Sequence, residues 1–113
     1  MASAHVSRVA MHRLPPALAA AATPQILELL GDGPGRVLEL GFAGIHARPL
    51  ELSGWEVVVV DPNPRARERS DHVAEAPEGY FDAVIAPSDA DLTTVDAARA
   101  IVVERDGSVR ETR

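Results

Sequence analysis

The chain contains no cysteine, so neither a disulfide framework nor a thiolate zinc centre can hold it together, and the fold must come from its own core. Lysine is missing as well: all 11 cationic side chains are arginine, which excludes a Schiff-base lysine and a phosphate-loop lysine. Aromatic residues make up 4% of the 113 positions, and much of the 46% hydrophobic fraction is alanine, so the core is thin. No stretch reaches the roughly 18 apolar residues of a membrane span. The alanine-rich segment 17–22, set between Pro15-Pro16 and Pro24, lacks the longer apolar centre and cleavage site of an export signal, and a cytoplasmic protein is expected. Seventeen acidic residues leave a net charge of -6. Binding to a phosphate backbone needs a basic face, so nucleic acid is not expected as the main ligand.

What is present divides into a lead-in over 1–22, partly helical or frayed, and a single domain over 23–113. Thr23 can cap a helix, Pro24 suits a first helical position, Ile26, Leu27, Leu29 and Leu30 give an apolar stripe, and Gly31 stops it. The segment 36–40 (RVLEL) reads as a buried strand ending at Gly41. A helix is expected over 44–52, with Pro49 forcing a late start or a bend. Four consecutive valines at 57–60 imply burial on both faces, as in a central parallel strand. A short helix over 65–70, a minimal strand over 72–75 and a buried strand over 80–86 follow. The segment 92–99 predicts a helix, 100–104 a strand, and Asp106-Gly107 a hairpin into 108–112. This alternation predicts an α/β fold: a small, open, mostly parallel Rossmann-like sheet with helices on both faces and a C-terminal hairpin.

In such sheets ligands bind beyond the carboxyl ends of the strands. The segments after Leu40, Val60 and Ala86 should therefore converge. The first offers Glu39, Gly41, Ala43 and Gly44, small residues that let a ligand approach the backbone at a helix start. The second offers Asp61, twenty positions after Gly41, the interval that separates a glycine turn from a ribose-binding acid. Here the sequence resembles the class I S-adenosylmethionine-dependent methyltransferases: VLELGFAG resembles their first motif, with its acid two places before a glycine, VVVVDPNP their second strand and FDAVIAP their fourth. The resemblance covers about 36–87 and is greatest to short archaeal members that stop near the end of the core sheet.

That resemblance implies a methyltransferase-type domain over 23–113, with S-adenosylmethionine as cofactor. Glu39 and Gly41 would face its methionine portion and Asp61 its ribose. Ala43 stands where the second glycine is expected and Ile45 where the third is, with a negative φ suiting both. No catalytic residue is identifiable, because APSDAD at 86–91 lacks the acid or amide, paired prolines and aromatic of amino-methylating enzymes. Substrate recognition then falls to a protein partner or to a second copy of the chain. The alternative is a non-catalytic adenosine-ligand or nucleotide-binding regulator or scaffold of the same fold.

Other residues have simpler readings. Asp89 can serve as a general base, but reads as a cap for the helix expected after it. His5, His12, His46 and His72 show no ligand spacing, so no metal site is expected at them. Glu39, Asp61 and Asp89 could together take a divalent cation, although this removes the motif-level role of Asp61. His46 can either reach the ligand or face solvent from its helix, and the latter is expected. Arg65, Arg67 and Arg69 are interrupted by Glu68 and read as a solvated surface. Trp55 reads as a plug at the entrance to the valine strand.

Overall fold

The computed structural model describes residues 14–60, 72–73 and 77–113. In chain order the elements are helices α1 (Pro16–Ala21) and α2 (Thr23–Leu30), strand β1 (Arg36–Leu40), helix α3 (Ala47–Leu52), and strands β2 (Glu56–Val60), β3 (His72–Val73), β4 (Tyr80–Pro87), β5 (Asp96–Val103) and β6 (Val109–Glu111). The strands form one six-stranded sheet of order β3-β2-β1-β4-β5-β6. Every pairing is parallel except that of β5 with β6. The fold is therefore α/β, with a small, open, mostly parallel Rossmann-like sheet and a C-terminal hairpin. β1 lies at its centre: the chain steps outward to β2 on one side and later places β4 on the other, the arrangement of a doubly wound sheet.

Alternation along the strands divides the apolar side chains into two clusters. On one face Val37, Val57, Val59 and Ile85 pack against Ile26 and Leu30 of α2 and Leu50 of α3. On the other, Leu38 and Val84 meet Leu92 and Val95 from the β4–β5 connection, joined by Phe81 from the start of β4, which is out of step with Val84 in the alternation. The expectation of helices on both faces is corrected: all three described helices contribute to the first cluster only, and the second face is crossed by the helix-free β4–β5 connection. The handedness of crossovers accounts for the division: β1 to β2 and β4 to β5 step in opposite directions across the sheet, so right-handed connections must pass over opposite faces.

The helix expected over 92–99 is a correction. β5 begins at Asp96 and pairs with β4 from Tyr80↔Asp96 to Pro87↔Val103. The residues 88–95 are turns, where a helical crossover needs about a dozen residues. The Asp91 carboxylate accepts from the Thr93 amide at 3.0 Å and its hydroxyl at 2.7 Å, fixing one of those turns. Helix preference in the AARA stretch is worth only tenths of a kcal/mol per residue, and a full-length parallel ladder outweighs it.

Smaller differences have local causes. α1 runs almost directly into α2 through Ala22, whose φ of -78° and ψ of -16° are helical, and Thr23 makes no capping hydrogen bond. α3 starts at Ala47, which puts Pro49 in the first turn, where helix amides have no intrahelical acceptor to lose. The short helix expected over 65–70 lies outside the described residues. Trp55 is the expected plug: it is buried, and its Nε1 donates to the Gly31 carbonyl at 2.8 Å. Its indole lies against Gly35, where any Cβ would collide with the ring.

Candidate functional site

The turn between β1 and α3 sits at the carboxyl end of the central strand. Gly41, Ala43 and Gly44 all have positive φ, at 78°, 55° and 85°. The glycines take this conformation without steric cost; alanine pays about 1 kcal/mol for it. At Ala43, in the place of a glycine, the φ is therefore not the negative one that suits alanine. Ile45 is not among the positive-φ residues, because Gly44 absorbs the reversal one position earlier. Gly41 and Ala43 are exposed and Gly44 is half-buried. Among the described residues nothing accepts a hydrogen bond from the Ala43 or Gly44 amide. Among the described residues the turn therefore has two backbone amides without an acceptor, and it is built mainly of small residues, at the end of the sheet where strand direction favours a ligand.

Glu39 is fully buried on the helix-covered face, and its Oε2 accepts from the His46 amide at 2.8 Å. This buried acid thus closes the turn from beneath. β2 ends at Val60, in register with Leu40; Asp61 itself lies outside the described residues. Glu39, Gly41, Ala43 and Gly44 are accordingly one continuous structure.

His46 does not face solvent, which corrects that expectation: it has no exposed surface. Its Nδ1 lies 2.7 Å from the Thr23 Oγ1, and its ring meets Phe42 edge-on at a centroid separation of 5.0 Å. Burial pushes its pKa from 6.5 down to about 4, since the charged form loses its hydration. The ring is neutral at pH 7, and among the described residues its Nε2 has no hydrogen-bond partner. Sequence reasoning missed the Thr23–His46 contact because no local spacing links residues 23 positions apart.

The third expected contributor departs from its prediction. Asp89 caps no helix, because none follows. Beside it the Ser88 amide donates to the Val103 carbonyl at 3.0 Å. The Glu104 carboxyl is held below its usual range, first by Arg110 and then by the Ser88 hydroxyl. The end of β4 is thus tied to the hairpin. No cluster of three His, Asp or Glu side chains able to hold a metal ion occurs among the described residues. Nor, among those residues, is any helix long and apolar enough to cross a membrane.

A cavity of about 420 Å³ lies elsewhere, at the starts of β4 and β5, between Leu38, Phe81 and Val95, with Glu78 and Asp96 around it. It is at the amino end of the strands, away from the glycine turn, and its two carboxylates are exposed. The backbone donors and the strand ends both favour the turn. No protein-family model matches the chain, and no curated protein or solved structure matches it.

Proposed function

We propose that this chain binds S-adenosylmethionine at the carboxyl end of β1 and is a methyltransferase-like protein of the cytoplasm whose acceptor site is completed by a partner or a second copy. The observation that carries the reading is the exposed, left-handed turn Gly41-Ala43-Gly44 at the end of the central parallel strand. The donor set fits such a ligand: the Ala43 and Gly44 amides would meet its polar groups, and the glycines leave room for close approach. Asp61, following β2 beside β1, would accept from the ribose hydroxyls. Glu39 would shape the turn from within. The bound cofactor supplies an electrophilic methyl group on a sulfonium. This chain's part is to bind and orient it.

The β4–β5 connection favours a second reading, binding without catalysis. In methyltransferases the loop after the fourth strand carries acceptor chemistry. Here residues 88–95 are occupied by their own turn bonds and by Arg113, which donates to the Leu92 carbonyl at 2.7 Å and to the Val95 carbonyl at 2.9 Å. An adenosine-ligand sensor or scaffold needs nothing more from this loop.

Calorimetry with S-adenosylmethionine and S-adenosylhomocysteine tests the site. Wild type should bind, and Asp61→Ala should lose about tenfold or more, the cost of roughly one charge-assisted hydrogen bond. No binding by wild type at millimolar ligand overturns the reading; equal binding by the variant overturns the assigned ribose contact. Transfer of a tritiated methyl group to small molecules, proteins or tRNA then separates enzyme from sensor.

A further inference from the structure

The turn is not held by β1 and α3 alone. Three buried or half-buried polar groups from different elements meet behind it: Glu39 from β1, His46 at the start of α3 and Thr23 from α2. Oε2 of Glu39 takes the His46 amide at 2.8 Å, and Nδ1 of His46 lies 2.7 Å from the Thr23 hydroxyl. Phe42, inside the turn, packs its ring edge-on against the imidazole. The same imidazole leaves its Nε2 buried with no partner among the described residues, an arrangement that costs free energy in a protein interior. A leucine of similar volume would fill the space without that cost. The histidine is therefore best explained by what its other nitrogen does, which is to fasten the turn to α2.

We infer that Thr23 and His46 are positioning residues for the turn, and that with Glu39 they make α2 part of the scaffold that sets its left-handed geometry. The functional side of this inference rests on the proposed ligand site; the structural side does not. α2 is laid against the sheet through Ile26 and Leu30. A bond from its first residue to the residue before α3 transmits that placement to the backbone donors at 43 and 44. A shift of α2 would then be felt at the turn although neither Thr23 nor His46 presents a side chain to the ligand.

Hydrogen exchange and calorimetry on the full chain test this together. Thr23→Val keeps the shape and removes the hydroxyl; it should speed amide exchange at Ile45, His46 and Ala47 by about tenfold while β4 and β5 exchange as before. Thr23→Ser restores the hydroxyl and should return the rates to within roughly twofold of wild type. Binding of S-adenosylhomocysteine should weaken about tenfold in Thr23→Val and recover in Thr23→Ser. Unchanged exchange at 45–47 in Thr23→Val overturns the inference, as does unchanged affinity alongside altered exchange. Should wild type bind no ligand, the proposed function fails and the exchange rates still decide the positioning role. If Thr23→Val does not fold, nitrogen shifts of wild-type His46 decide instead: one fixed neutral tautomer supports the bond, and averaged tautomers overturn it.

Discussion

The two faces of the sheet are built on different plans. One is covered by the three described helices and encloses a polar set, Glu39, His46 and Thr23, among its apolar side chains. The other has an all-apolar cluster around Leu38, Phe81 and Val84, and its β4–β5 crossover is an eight-residue strap without a helix. The difference follows from connection length. A helix brings its own satisfied backbone and a wide apolar stripe. A strap must find partners for its carbonyls elsewhere, and Arg113 supplies them to Leu92 and Val95, and to Ala97 at the start of β5. The helix-covered face can accommodate buried polar groups beneath the turn, whereas the strapped face relies on a few large side chains.

The sharpest way to break that contrast is to empty the strapped face. Phe81 is 1% exposed, and the Arg36 guanidinium sits 4.5 Å above its ring. Phe81→Ala should cost about 3–5 kcal/mol in denaturant unfolding, with no described helix packed there to collapse into the space. A loss under about 1 kcal/mol would mean that the face is already loosely packed.

Acid should act on the opposite face. His46 is neutral and buried when folded, with a pKa near 4, and titrates at 6.5 when unfolded. Between those values the unfolded chain binds the extra proton, so stability is fully present above pH 6.5 and falls as pH drops toward 4, by about 3 kcal/mol in total. Glu39 is the carboxyl group bonded to the same residue's amide, so the clean comparison is between wild type and His46→Leu. Unfolding midpoints followed from pH 7 to 4 should show this part of the loss only in wild type; parallel curves would place the pH sensitivity elsewhere.

The smallest effect concerns the strap itself. Arg113→Ala removes bonds at 2.7, 2.9 and 3.2 Å, but at an exposed side chain, so about 1 kcal/mol is expected. Exchange at the amides of 92–97 should rise while α2 and α3 keep their protection. A uniform rise across the sheet would show that the strap and the helix-covered face unfold as one unit.

The sequence made legible what depends on local pattern. The runs RVLEL and VVVV predicted β1 and β2, Gly31 marked the end of α2, and Asp106-Gly107 marked the hairpin, where Gly107 has a φ of 87°. It failed where long-range pairing outranked local preference. The alanines of β5 favour a helix in isolation, yet the strand must match β4 at seven positions. At the candidate site the small residues were readable, because each reflects a backbone demand at its own position. The burial of His46 was not, because its partner lies on α2 and its neighbours in sequence give no sign of an adjoining helix. The positive φ of Ala43 was also hidden, since alanine carries no signature of the left-handed region.

The all-arginine composition also takes on a constructive meaning. Arg99 places one guanidinium on both Glu111 oxygens at 2.8 Å and on the Leu29 carbonyl at 2.7 Å, and Arg113 spans two carbonyls of the strap and that of Ala97 in β5. An ammonium is a compact point charge without the planar fork that reaches several acceptors at once. These cations are stitches: each sews one stretch of backbone to another across the seam between separate elements, and an arginine-to-lysine exchange would keep the charge while undoing the seam.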